Sequence, residues 1–415
     1  MNIKRTILLL QSALVTTIVL LSSGCSNSSA VSHRYHAAND PFAPRFVQMN
    51  NGGDNSNAPQ HIALLLPLTD RYAPYANAIR NGFFTAYYDQ KKKTHYAPNI
   101  EVINTSGKNI QTVVQSAIAD HADMIVGPLD KSDVATLAAS STTPVPIIAL
   151  NSTPDNTALS NQNLYEFSLS PTNEAQQSAQ KAWQDGKRNI IILAPSSPYG
   201  ERVAGAFAVQ WKKLGGSIVA QQYYGGIPTL SKNIMDVLQI NNADQNARKL
   251  KNLFQDDIRF VPQRRQDFDS IFLVATPVMG RQIQPLLRFY FAGDIPIYAT
   301  SQIYSGTPDA SRDHDLDGII FCDMPWILSP AQLPSDSLKN AQQQIQTLWP
   351  NNAVSLAKFY AMGVDAFTLA SNLNKMTSHQ MSVPGATGTL YITPNHHIDR
   401  GLRFAKFEQG EPKIL

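Results

Sequence analysis

From His61 onward, runs suited to buried strands alternate with stretches of helical spacing, and this alternation constrains the fold more than any other feature. Ile62-Ala63-Leu64-Leu65-Leu66 is a continuous apolar run, as a strand covered on both faces requires, and Pro67 stops it. Tyr75, Ile79, Phe83 and Tyr87 then recur at helical spacing. The order continues through a predicted strand at 100–104, helix at 110–119, strand at 124–126, helix at 132–140 and strand at 146–150. A short strand at 164–169 leads out. Strands that alternate with helices imply a parallel sheet with crossover helices on both faces.

A second unit repeats this grammar. A helix over 173–185 leads to a strand over 189–193, ended by Pro195, then a helix over 201–214 and a strand over 217–223. A long polar helical region precedes a strand at 269–275, a helix at 279–291 and a strand at 296–300. Gly318–Met324 is a further buried-strand run, and 355–373 is a helix with Leu356, Phe359, Tyr360, Phe367, Ala370 and Leu373 on one face. Gly388–Ile392 and Leu402–Glu408 read as a hairpin. The expectation is an α/β protein of two lobes, each a parallel sheet flanked by helices. This element order resembles type I periplasmic binding proteins, which implies three crossovers, near Leu169, Ser301 and Val383. The first lobe would hold 61–169 and a return over 302–382; the second would hold 170–301 and the C-terminal hairpin over 383–415. A ligand cleft would lie between the lobes, at the carboxyl ends of the strands.

Ahead of the body stands a secretion leader. Lys4 and Arg5 form a basic start, 7–21 is mostly apolar, and Leu20-Leu21-Ser22-Ser23-Gly24-Cys25 closes it. A cysteine after Ser-Gly resembles the lipobox of bacterial lipoproteins, although Ser22 stands where that motif prefers Leu, Val or Ile. The leader is read as 1–24 and Cys25 as the lipidated residue; Ser26, in place of Asp, points to the outer membrane. Several acyl chains on one cysteine anchor firmly where one does not. The composition of 26–60 is rich in Asn, Ser, Gly, Pro and Ala, and 25–60 is read as a lipidated flexible tether. Such a chain has an end-to-end distance on the order of 30 Å and stretches to roughly 110 Å.

The 415 residues carry a formal charge of +3, which falls to +1 once Lys4 and Arg5 leave with the leader. Hydrophobic content of 43% and charged content of 16% describe an ordinary globular surface, with no footprint for nucleic acid. Lys91-Lys92-Lys93 and Arg264-Arg265 read as solvated helix ends or loops. Cys322, the only cysteine besides Cys25, reads as a small buried hydrophobe in an apolar run.

Catalytic patterns are sparse. Glycine-rich phosphate loops, His-Glu-x-x-His and Gly-x-Ser-x-Gly are missing from the sequence. Ser-x-x-Lys occurs at Ser178/Lys181 and Ser355/Lys358, without an accompanying Lys-Thr-Gly and on predicted helical faces. Asp313-His314-Asp315-Leu316-Asp317-Gly318 opens like a calcium loop, but Met324 stands where a bidentate Glu is needed. His396, His397 and Asp399 sit in a turn after Pro394. No cofactor, metal or enzymatic activity is expected. Topology alone nominates the cleft residues: Leu68, Thr69 and Tyr75; Gly127 and Pro128; Asn151 and Ser152; Ser196, Ser197, Tyr199 and Gly200; and Thr276. Small hydroxyls and glycines there would let backbone N–H groups face a polar ligand, and plain turn chemistry explains the same residues.

Longer stretches are more specific. Ile62–Leu68, Ala182-Trp183-Gln184, Ala206-Phe207, Trp211–Gly216 and Val274-Ala-Thr-Pro277 come in order. Phe359-Tyr360-Ala361-Met362-Gly363-Val364-Asp365-Ala366-Phe367 follows, and then Gly385-Ala-Thr-Gly388-Thr-Leu390. Together they resemble the LppC/LpoA family of outer-membrane lipoproteins, over roughly residues 60 to 412. The resemblance implies an activator of a class A penicillin-binding protein, anchored by lipid on the periplasmic side of the outer membrane, with peptidoglycan as a further contact. Longer members carry a helical-repeat domain between anchor and body, where this sequence has a 35-residue tether. A receptor for an amino acid, peptide or muropeptide is the alternative. Gly363, in mid-helix, is expected where its helix packs closely on the sheet.

Overall fold

The computed structural model describes residues 58–94, 96–154, 157–240, 249 and 263–415. Cys25, the leader and most of the tether lie outside these residues, as does much of the polar region that follows Tyr223.

The first lobe starts with β1 (His61–Leu66), buried from Ile62 on, and α1 (Ala73–Thr94). It continues through β2 (Asn99–Asn104), α2 (Ile110–Ala119), β3 (Met124–Val126), α3 (Lys131–Ala138), β4 (Ile147–Ala149) and β5 (Leu164–Phe167). The second contains α4 (Pro171–Gln184), β6 (Asn189–Pro195), α5 (Pro198–Lys213), β7 (Ser217–Tyr224) and α6 (Ile227–Val237). β8 (Ser270–Leu273), α7 (Pro277–Phe289) and β9 (Ile297–Ala299) complete its parallel run. Three of these helices start alike. Ser170, Ser197 and Thr276 cap α4, α5 and α7 with their side-chain oxygens, and each is followed by proline at the first helical position. The oxygen satisfies a free backbone N–H, and proline loses no hydrogen bond there.

The rest of the chain weaves between the lobes: α8 (Ala310–Asp313), β10 (Ile319–Asp323), α9 (Pro325–Leu328), α10 (Asp336–Leu348), α11 (Ala357–His379), β11 (Val383–Pro384), β12 (Thr389–Ile392), β13 (His397–Gly401), β14 (Arg403–Glu408) and β15 (Glu411–Ile414). One sheet has the order β11-β12-β13-β5-β4-β3-β1-β2, the other β15-β14-β10-β9-β8-β6-β7. Both are mostly parallel, with antiparallel strands supplied by the C-terminal part.

Two placements differ from the sequence reading. β10 does not return to the first lobe; it extends the second sheet, parallel to β9 through Ile319↔Ile297. An apolar run buried on both faces fits a central position in either sheet, so its composition carries no address. Likewise 383–415 is not one hairpin in the second lobe. β12 and β13 pair with each other and β13 joins the first sheet beside β5, whereas β14 and β15 close the second. The chain therefore crosses between sheets after Asp323 and at Leu402, not near Ser301 and Val383.

α1 and α11 lie together on one face of the first sheet, with Phe83 edge-on to Phe367 at 5.2 Å. Their backbones meet at glycines. A Cβ on Gly363 would fall 2.8 Å from the Ile79 carbonyl carbon and 2.9 Å from its Cα; one on Gly82 would fall 3.0 Å from the Tyr360 carbonyl carbon. Gly363 thus packs against the backbone of α1 rather than against the sheet.

Candidate functional site at the lobe junction

Buried charge collects where the lobes join. Glu174 projects from α4, Asp323 ends β10, Lys358 stands in the first turn of α11, and Arg400 lies on β13. Glu174, Asp323 and Arg400 are buried, although such residues seldom are unless paired. Lys358 Nζ sits 3.1 Å from Asp323 Oδ1 and donates to Ser301 Oγ at 2.8 Å. The Ser301 N–H donates to Glu174 Oε2 at 3.0 Å, and Arg400 Nη2 lies 3.7 Å from Glu174 Oε1. That last separation makes an ion pair without a hydrogen bond, so Arg400 Nη1 and Nη2 are buried with no hydrogen-bond partner. Gln177 ties the same place by donating to the Arg400 carbonyl at 2.8 Å and accepting from the Leu402 N–H at 2.9 Å. Both ion pairs span the lobes. Burial pushes the Asp323 carboxyl up to about 6 against the opposing pull of Lys358.

A second buried carboxylate joins the two signature stretches. Asp365, on α11, accepts from the Ala386 and Thr387 N–H groups at 2.7 Å each and from Thr387 Oγ1 at 2.6 Å. The Tyr-Ala-Met-Gly-Val-Asp-Ala helix and the Gly-Ala-Thr-Gly turn are thus one structural unit. Burial raises the Asp365 carboxyl to about 6, opposed by those hydrogen bonds. Below the junction, Tyr304, Trp326, Ile327, Ile345, Val354 and Pro412 line a groove of about 270 Å³.

The predicted cleft residues are largely engaged by their own lobes. Asn104 Oδ1 accepts from the Leu68 N–H at 2.9 Å, its Nδ2 donates to Thr69 Oγ1 at 3.1 Å, and Tyr75 packs on Phe359 with ring centroids 4.7 Å apart. The Gly127 N–H donates to the Ile148 carbonyl, and the Pro128 carbonyl accepts from the Leu150 N–H. Asn151 donates to the Leu129 carbonyl and accepts from the Ser152 N–H. The Ser196 N–H donates to the Tyr224 carbonyl; Ser197 and Thr276 spend their hydroxyls as helix caps, Ser197 accepting from the Gly200 N–H. Of these residues Tyr199 comes up against the charged cluster. Burial and the nearby Glu174 raise its hydroxyl to about 12.

The other sequence motifs resolve into packing. Ser178 Oγ lies 3.0 Å from both the Glu174 and Ala299 carbonyl oxygens, and Lys181 pairs with Asp185. Asp313 is held by Arg281. His397 faces Glu166 at 3.1 Å and His396 stacks on Tyr165, so the two rings serve different neighbours. Cys322 is buried. Sequence reasoning passed over Glu174, Ser301, Asp323 and Arg400. The available signal was an acid or a base set in an otherwise apolar stretch, as Asp323 is at the end of its strand.

A profile of the family described as "LppC putative lipoprotein" matches residues 44–410. The curated penicillin-binding protein activator LpoA of Vibrio antiquarius is 31% identical over 357 residues, covering 84% of this chain and 57% of its own length. The chain thus spans little more than half of that relative. Among solved structures, the C-domain of LpoA (YraM) from Haemophilus influenzae, titled a regulator of PBP1A, matches with a TM-score of 0.65 at 24% identity. That match covers 86% of this chain and 99% of the other. A "putative branched-chain amino acid ABC transporter" from Chromobacterium violaceum matches with a TM-score of 0.62 at 22% identity, over 84% of this chain and 99% of its own. The fold is the two-lobed periplasmic-binding type.

Proposed function

The chain belongs to the LppC family, and on that premise we propose that it is a non-enzymatic lipoprotein that binds a class A penicillin-binding protein and raises its cross-linking activity. The identity to a penicillin-binding protein activator, spread across the α/β body, carries this reading. The internal chemistry supports it: the most specific motif residue, Asp365, holds a turn onto a helix, and Ser178, Lys181 and Lys358 of the Ser-x-x-Lys pairs make structural contacts. A regulator works by binding one conformation of its partner better than another, which needs a shaped surface and no nucleophile. The small-ligand receptor is less well supported, because the polar groups at the predicted cleft are taken up by the chain itself. The anchor is Cys25, and the site of action is the periplasmic side of the outer membrane.

The test is to add the purified protein to a class A synthase from the same cell and measure cross-linked product. A rise that saturates with protein is expected. No binding and no stimulation, together with a small ligand that raises the melting temperature by several degrees, would replace the regulator with the receptor.

A further inference from the structure

The Lys358–Asp323 pair crosses the seam between the lobes. Lys358 belongs to α11, which packs on the first sheet. Asp323 and Ser301, which it grips together, belong to the second. Asp323 is 1% exposed, its Oδ1 also accepts the Met324 N–H at 2.8 Å, and its Oδ2 has no hydrogen-bond partner. Facing it are Lys358 from α11, Glu174 from α4, Tyr304 from the turn after β9, and Arg403 as its neighbour across β14. Lys358 is already one-third exposed, so moving the lobes apart at this seam chiefly wets Asp323. The carboxyl then passes from a dry site with one orphaned oxygen to water, where ionisation is unopposed.

We propose that the lobe junction is a proton-linked latch, in which opening the seam releases a proton from Asp323 to solvent and acid holds the lobes in the arrangement described here. The sign follows from burial. The closed seam lifts the carboxyl from 3.8 to about 6, so the closed form binds the proton more tightly than the open one. The closed-to-open ratio then falls by on the order of tenfold between about pH 5 and about pH 7.

The experiment uses the full chain with spin labels on Lys92→Cys and Lys213→Cys, exposed positions on α1 and α5, and reads the interlobe distance distribution across that range. The longer-distance population should grow about tenfold relative to the shorter as pH rises. Asp323→Asn, which keeps the shape and cannot ionise, should remove the dependence. Lys358→Met should move the transition to higher pH, since the carboxylate loses its cation. A distribution that does not change with pH in the otherwise native chain overturns the latch, as does an unchanged dependence in Asp323→Asn. The readout needs no synthase, so it stands or falls apart from the activator reading.

Discussion

Replacing Gly363 with alanine sets two known effects against each other. In an open helix the change is favourable by about 1 kcal/mol, because alanine loses less backbone freedom on folding. Here the new methyl would meet the Ile79 carbonyl oxygen, carbon and Cα, all backbone atoms of α1 that cannot rotate aside. The contact is relieved only by moving α1 away from α11, which loosens the aromatic contacts around Phe83 and Phe367. Overpacking of this kind costs roughly 1–3 kcal/mol, and an obstacle made of backbone belongs at the upper end. The net expectation is a loss of about 1–2 kcal/mol, seen as a lower urea midpoint at constant slope. Gly82→Ala should do the same from the other side, and the double variant should cost less than the sum of the two, because the first has already separated the helices. Gly205, on α5 with nothing near its would-be Cβ, supplies the opposite sign: Gly205→Ala should gain up to about 1 kcal/mol. Gly363→Ala as stable as the parent would refute the close-approach argument.

Asp365→Ala leaves two buried N–H groups unpaired and should cost on the order of 3 kcal/mol, measured by denaturant unfolding. Because burial raises Asp365 to about 6, its contribution to stability is fully present below about pH 3.8 and is lost as pH rises through about 6. Asp365→Asn should therefore flatten the fall in urea midpoint over that window. Asp313→Ala should destabilise by roughly 3–5 kcal/mol by leaving Arg281 without its partner, and added calcium should not shift the melting temperature of the parent. Cys25→Ala should abolish palmitate labelling and move the protein to the soluble fraction; lipid-free native protein would contradict the anchor.

Local chemistry made the two α/β lobes legible. Continuous apolar runs such as Ile62–Leu66 and Asn189–Leu193 became central strands; Pro67 stands just after the first, and Pro195 is the last residue of the second. Partner choice was not legible, because the apolar pattern of Gly318–Met324 suits either sheet and the strands around Gly401 differ by sheet only through their neighbours. The junction was hidden for a related reason. Glu174 and Arg400 are separated by more than half of the described chain, and neither has a spacing that announces the other. The Asp365 contact was half visible: both motif stretches stood out, but not that they touch.

The exchange of strands has a consequence for how the molecule is made. The first sheet receives β11, β12 and β13, and the second receives β10 early and β14 and β15 last. Neither sheet is therefore finished until nearly the whole chain has been synthesised, and the edges of β5 and β10 stay bare until then. Pairings between such distant segments form late, since loop closure must precede the contacts that reward it. During export the two half-built lobes would present open strand edges to whatever is nearby, which makes them natural clients for an escort that masks sheet edges until the last strands arrive.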